Sequence, residues 1–574
     1  MAKPTGTPEF DVVIIGSGFA GALVADRLTQ KKDSVRVLIL EAGDFVPEVP
    51  DRIALVQKYE TSSSKSQSSP YVDFAASQPN ADRNFGREYY VEDLTLSPPD
   101  LFTSYYERVV GGSGWHWQGI AIRMLPGDFE MKTRYKRAVD WPIGYKELEP
   151  WYCEAEREMG IAGNHDLLNG LHGAYRSKTF PMPEIVESYV DRQVKAALGN
   201  KELEGVQLQV TTVPQARNSV DGYDGRPICD GHGSCIPLCP IRAKYEPIFH
   251  IQKAKKAGAA IREKSIVTRL EIGDNNLISR VVYKRWDGTE ESVTGRVVVL
   301  AANGIETPKI LLMSKEQWSK GVANSSGLVG KNLMDHPIKM SYALSREPLF
   351  PFRGPPSTSS IETFRDGPFR GERGAFRTTI RNDGWTWPTG APRGTDMNSR
   401  GTVLDLVGNL KLFGDALKQK LFEHTSHQIV LNSAVEQLPD PANRIVPSET
   451  AVDRFGIPRP EIHFKIDDYT RGAFLAALRV HALIFDALGA REFNLQGDTQ
   501  SNAGSGHIMG TTRMGSDSKD SVVDKDCRAH DHKNLFILGS SVFPTGATAN
   551  PTLTVAALAL RAVDPMRQSL HHLP

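Results

Sequence analysis

The stretch DVVIIGSGFAG, residues 11–21, leaves this chain few folds to choose from. A continuous apolar run is the pattern of a strand buried on both faces, as in a parallel sheet. It leads into Gly16, Gly18 and Gly21, then ALVADRLTQ with helical spacing, then a second apolar run, VRVLIL, that ends at Glu41. Strand, glycine turn, helix and strand make one βαβ unit. In G-x-G-x-x-G the first glycine makes the tight turn and the second lets the backbone approach a pyrophosphate. The third lets helix pack closely on strand. The helix N-terminus offers unpaired N–H groups and a positive dipole end to phosphates. Glu41 is placed to accept hydrogen bonds from a ribose diol. The motif alone does not choose between FAD and NAD.

A chain of 574 residues is too long for one ordinary core, so two interleaved domains are expected. PEVPDR, SSSKSQSSP and SPPD make residues 46–104 a long excursion, suited to covering a cofactor. Further strands are expected at 265–272, 279–285 and 295–302. Between about 340 and 500, TTIRND, VLDLVG, SHQIVLNSAVEQ and EIHFKI alternate like antiparallel strands, before a helix at TRGAFLAALRVHALIFDAL. NLFILGSS reads as a last buried strand. NPTLTVAALALRAV reads as a helix capped by Asn550, with Pro551 at its first position.

The expected fold is α/β. A Rossmann-like FAD-binding domain is built from discontinuous segments (8–45, 105–140, 205–338 and 500–570). An inserted α+β substrate domain with a largely antiparallel sheet takes 141–204 and 339–499. Lys+Arg and Asp+Glu stand at 68 each, which argues against a general nucleic-acid binder. No apolar run reaches the roughly 18–20 residues of a membrane span. MAKPTGTPEF shows neither an apolar export core nor a twin arginine, so the chain is expected to carry no export signal of its own.

Three of five cysteines fall in CDGHGSCIPLCP, residues 229–240. Their spacing, C-x5-C-x3-C-P, puts Cys229, Cys235 and Cys239 on one loop (226–243) as candidate ligands. Three thiolates can hold three corners of a cuboidal iron–sulfur cluster, whereas structural zinc takes four ligands. His232 would complete a Cys3His set, so zinc stays open as the alternative. Cys153 and Cys527 read as small buried residues.

Further along, YERVVGGSGWHWQG (106–119), LAANGIETPKILL (300–312), LMDHP (333–337), EQLPDPANRI (436–445), GHIMGTTRMG (506–515) and NLFILGSSVFPTGATANPTLTVAALALR (534–561) follow in order. Together they resemble the glucose–methanol–choline (GMC) family of FAD oxidoreductases over nearly the whole chain. The cysteine loop and VDWPIGYKELEPWY (139–152) resemble the catalytic subunits of bacterial FAD-dependent glucose, fructose and gluconate dehydrogenases. The resemblance implies FAD as cofactor, with contacts at Gly112, Ser113, His116, Val267, Ala301, Gly539, Asn550, Pro551 and Thr552 beside Gly16, Gly18, Gly21 and Glu41. It implies a [3Fe–4S] cluster on the three cysteines. His507 matches the family's catalytic histidine, and an imidazole suits proton abstraction near neutral pH. Asn550 matches the second active-site residue. His116 has two readings: covalent attachment to the flavin, or a hydrogen-bonding residue packed between Trp115 and Trp117. His336 reads as a structural residue at a turn, and Arg513 as a brace for the His507 loop or a substrate contact. Trp385 and Trp387 are candidates to stack on a sugar.

The function these features imply is a sugar or glycoside dehydrogenase. It would oxidise a ring hydroxyl by hydride transfer to flavin N5 and send electrons through the cluster to an external acceptor. The alternatives are an oxygen-using pyranose or glycoside oxidase without a redox cluster, and a non-catalytic flavin-binding assembly subunit. The resemblance further implies a small helper subunit and a multihaem cytochrome c, or a quinone or other one-electron acceptor. It implies periplasmic placement by export with the partner subunit, with a cytoplasmic enzyme as the alternative.

Overall fold

The structure is a computed structural model; it describes residues 8–30, 35–44, 52–54, 90–92, 102, 104, 106–233, 235, 238–382, 384, 405–495 and 504–572. Five parallel strands carry the glycine loop, in the order Leu535–Ile537, Gly295–Leu300, Phe10–Ile15, Val37–Leu40 and Ala260–Arg262. Phe10–Ile15 is central, which is why its apolar run is continuous: Val12, Val13 and Ile14 are fully buried. The helices Phe19–Thr29 and Thr552–His572 pack on each other and on this sheet, and the antiparallel ribbon Ser265–Ile272, Ile278–Arg285, Glu290–Val293 lies beside it. This order puts Gly295–Leu300 between the chain's last strand and its first, and the last helix lies against the helix that follows the glycine loop.

A second sheet of six antiparallel strands runs in the order Arg491–Leu495, Ile338–Leu344, Gln428–Val435, Phe376–Ile380, Ser359–Ile361, Val210–Thr212. The helix Asp468–Ala487 packs against it and buries Phe474, Ala477, Val480 and Ile484 in a core separate from that of the parallel sheet.

Several segments depart from the expected assignment. Asp405–Asn409, in VLDLVG, forms one π-helical turn rather than a strand. Val210–Thr212 joins the edge of the antiparallel sheet although its neighbours in sequence belong with the parallel one. The helix Tyr145–Met159, expected in the substrate domain, buries Leu148, Tyr152 and Met159 in the parallel-sheet core against Thr552–His572. The hairpin Arg444–Val452, Pro458–His463 lies on helix Asn303–Met313, with Ile445 N–H donating to Gly330 O at 2.8 Å. Apart from the π-helical turn, each departure is a long-range contact, which local periodicity cannot report. The 46–104 excursion lies largely outside the described residues, and Trp385 and Trp387 lie wholly outside them.

Candidate active site

The cradle for a dinucleotide is built as its glycines require. Gly16 has φ +97°, and a Cβ there would stand 2.6 Å from Ala301 O. A Cβ on Gly21 would stand 2.1 Å from Gly16 O, so helix and turn touch through that hydrogen. Gly18 is different: nothing lies within 4 Å of its would-be Cβ, and as N-cap of Phe19–Thr29 it offers no side chain to the helix end. An open, donor-rich helix start is the surface a pyrophosphate needs. Gly539, φ +112°, likewise faces open space. Glu41 is buried, and its carboxylate is held by Ser17 N–H at 3.0 Å, Ser17 Oγ at 2.5 Å and Gly43 N–H at 2.9 Å. Burial raises its pKa against those three donors. A carboxylate has about four acceptor positions, so room for a ribose hydroxyl remains. Val267 is buried in the antiparallel ribbon beside this sheet. Ala301 N–H donates to Ile15 O at 2.8 Å, directly under the first glycine. Gly112 comes close to Gly18: a Cβ on Gly112 would stand 3.5 Å from Gly18 Cα. Ser113 Oγ accepts from Glu107 N–H. The residues present therefore fit FAD.

Beyond the cradle, His507, Asn550 and His336 converge. His336 Nε2 lies 3.1 Å from Gly546 O, and its Nδ1 lies 2.8 Å from His507 Nδ1. A carbonyl only accepts, so His336 carries its proton on Nε2 and, when neutral, accepts at Nδ1. His507 must then donate from Nδ1. Its Nε2 keeps the lone pair and accepts from Asn550 Nδ2 at 3.1 Å. Asn550 Oδ1 in turn accepts from Arg377 Nη2 at 3.0 Å. Asp335 Oδ1 takes the backbone N–H of both His336 (2.7 Å) and His507 (3.0 Å). Desolvation first, then His336 and the Arg377 cation, hold the His507 pKa well below its ordinary value. Desolvation also lowers that of His336. His507 keeps part of its surface open, as a base that meets substrate must. The arrangement presents a neutral imidazole with its lone pair at a known atom.

His336, read from sequence as a turn residue, is in direct hydrogen bond with His507. Arg377 was not anticipated at all; its only sequence signal is a cation inside the apolar run FRTTI. Asn550 does not act as the helix cap. The helix starts at Thr552, Pro551 O accepts from Val555 N–H, and the Asn550 amide turns to His507 and Arg377. Arg513 Nε donates to Asp520 O at 3.0 Å, bracing its own loop.

The cysteine loop lies against the GGSGWHWQG segment. Lys244 Nζ, fully enclosed, donates to Trp115 O and Trp117 O at 2.8 Å each and to Cys235 O at 3.1 Å. Arg52 donates to Cys239 O at 2.8 Å, makes a two-pronged pair with Glu246, and lies over the Trp115 ring. Cys235 and Cys239 are buried, Cys229 half-buried. Burial and the neighbouring Cys235 push the Cys239 thiol up. His232 sits half-exposed 3.6 Å from Asp230, not over the thiols. Among the described residues, the three thiols and His232 do not close to within 4.8 Å of one another as single-ion ligands. His116 is buried, with Nε2 3.5 Å from Glu107. Of its neighbours, Trp115 packs under Arg52 and Trp117 meets Phe19 edge-on at 4.9 Å. Cys153 and Cys527 are buried as small residues.

A parallel sheet with an open glycine cradle, and a histidine–asparagine pair where its last strand leads toward the last helix, define a dinucleotide-dependent oxidoreductase. Family models described as GMC oxidoreductase match residues 219–338 and 439–559, and a lycopene cyclase protein model matches 11–63, the segment holding the glycine loop. The chain is 37% identical to the fructose dehydrogenase large subunit of Gluconobacter japonicus, covering 98% of this chain and 99% of that one. It is 28% identical to the 2-methyl-1,2-propanediol dehydrogenase of Mycolicibacterium austroafricanum, covering 98% and 95%. In fold it is similar to pyridoxine 4-oxidase from Mesorbium loti, with TM-score 0.60, 20% identity and coverage of 99% and 100%. The chain belongs to the GMC oxidoreductase family, as an FAD-dependent oxidoreductase of CH–OH groups.

Proposed function

We propose that this chain is the catalytic subunit of a sugar or polyol dehydrogenase whose electrons leave through a [3Fe–4S] cluster on Cys229, Cys235 and Cys239. The observation that carries it is the Lys244 ammonium, which ties the cysteine loop to both tryptophans flanking His116. Bound FAD supplies a two-electron hydride acceptor, and the cluster supplies a one-electron exit. The chain's own residues do the rest. His507 Nε2 takes the hydroxyl proton, Asn550 Nδ2 donates to the same oxygen, and His336 locks the tautomer. His116, buried at the glycine cradle's edge, is assigned as the covalent flavin anchor. The similarity to a protein described as a large subunit supports a smaller partner; a cytochrome c acceptor and export to the periplasm with that partner are part of the proposal.

EPR of the air-oxidised protein tests this, before and after D-fructose, D-glucose or D-gluconate. A near-isotropic [3Fe–4S] signal that vanishes with one of these sugars is expected. No iron, with zinc in the loop or none, sinks the relay and leaves an oxygen-using oxidase.

A further inference from the structure

Arg377 is 3% exposed and stands on the strand Phe376–Ile380 of the antiparallel sheet, opposite Ala434. One of its three guanidinium nitrogens, Nη2, is spent on Asn550 Oδ1. The other two, Nε and Nη1, are buried without a hydrogen-bond partner. Glu362, the carboxylate whose charge acts on Arg377, makes no hydrogen bond to either. Glu362 is taken by Arg365 Nη1 at 2.8 Å and by Ser360 Oγ, and Arg365 spends its remaining nitrogens on Thr548 Oγ1 and Arg123 O. Two guanidinium groups therefore share one carboxylate, and the cation left over is one residue, Asn550, away from His507. Leaving donors of a buried cation unmatched is costly, so such a fork is built to receive oxygen.

The spacing says where that oxygen sits. Asn550 joins Arg377 Nη2 to His507 Nε2 through bonds of 3.0 and 3.1 Å and the width of one amide, so Nη2 is at most about 8 Å from the base and the other two guanidinium nitrogens at most about 11 Å. A reacting hydroxyl on His507 Nε2, an oxygen on the adjacent carbon, and one further hydrogen bond of about 3 Å span a distance within that bound.

We propose that Arg377 is the specificity-determining residue of this site: it fixes the Asn550 amide with Nη2 and, with Nε and Nη1, takes an oxygen on the carbon next to the one oxidised. The site thus selects vicinally oxygenated substrates over isolated alcohols. This rests on His507 being the base and on the sugar reading above.

The test is stopped-flow flavin reduction by the FAD-loaded full chain. The fastest of D-fructose, D-glucose and D-gluconate is compared with its monodeoxy analogues, in wild type and Arg377→Met. In wild type one analogue is expected to be at least 100-fold poorer in rate over dissociation constant, because a site that hydrogen-bonds an oxygen rejects its absence strongly. In Arg377→Met that ratio falls below about 3. Arg377→Lys, read by the same ratio, replaces a Met variant that fails to retain FAD, and is expected to lose at least 10-fold of the discrimination. Should the sugar and all analogues slow by one common factor, Arg377 is structural only and the proposal is overturned while the sugar reading stands. Failure of every sugar to reduce wild-type flavin overturns both.

Discussion

At the residue scale, the hydrogen-bond chain Gly546–His336–His507–Asn550–Arg377 sets a proton inventory, and each link can be cut. His507→Ala removes the base and is expected to slow flavin reduction by roughly 10²–10⁴-fold, measured in a single turnover. His336→Phe leaves that base in place but frees its tautomer. Flavin reduction is expected to fall about 10–100-fold while substrate dissociation changes little; a wild-type rate would remove His336 from the mechanism. The pH dependence has a definite sign. The His507 pKa is depressed, and a base works deprotonated, so reduction should be flat through neutrality and lost only in acid, below the ordinary histidine range. Arg377→Met removes a cation that disfavours the imidazolium and should move the acid limb toward neutral pH. His507 and Asn550 stood out in the sequence because their segments carry a family pattern. Nothing local marked Arg377, since a lone cation in a strand reads as solvent-facing until the opposite sheet is in place.

At the element scale, the glycine loop and the proposed cluster loop depend on close backbone approach and on buried cations. Gly21→Ala would put a methyl 2.1 Å from Gly16 O, with backbone on both sides. The purified variant is expected to lose FAD, read as the flavin absorbance per chain. Lys244→Met strands the carbonyls of Trp115, Trp117 and Cys235, each an unmet acceptor costing about 1–3 kcal/mol. The expected outcome is iron content lost from the cysteine loop with FAD retained; retained iron would show that the loop stands without its brace. Strands with continuous apolar runs were legible in the sequence, because burial on both faces leaves no alternation to misread. VLDLVG was not, because apolar residues in a short turn have the same composition as a strand.

At the scale of the whole molecule, the two sheets are joined by buried ion pairs. Arg370, within a short turn before the Phe376 strand, binds Asp128 at 2.8 Å and Glu436 at 2.6 Å, all three fully buried. Arg370→Met leaves two carboxylates uncompensated and is expected to destabilise by about 3–5 kcal/mol, read as a large fall in Tm. Acid should weaken the fold as well. Burial pushes His481 down to about 3, where it bridges Ser433 and Ser341, so the unfolded chain binds more protons below about pH 6.5. Stability is whole above that pH and declines from it toward pH 3, by about 1.4 kcal/mol per pH unit for this one group. An acid titration of Tm measures it.

The sequence by itself determined what short-range chemistry can encode: a strand, a glycine turn and a helix that together build a phosphate cradle, and three thiols on one loop. Those depend on neighbours within a few residues, and their spacing is their meaning. Only the tertiary structure decided which distant segments share a sheet, that residue 336 meets residue 507, and that residue 377 reaches the Asn550 amide beside them. Such contacts link segments up to hundreds of residues apart. What holds them is burial and the pairing of desolvated polar groups, and neither exists until the whole chain has closed.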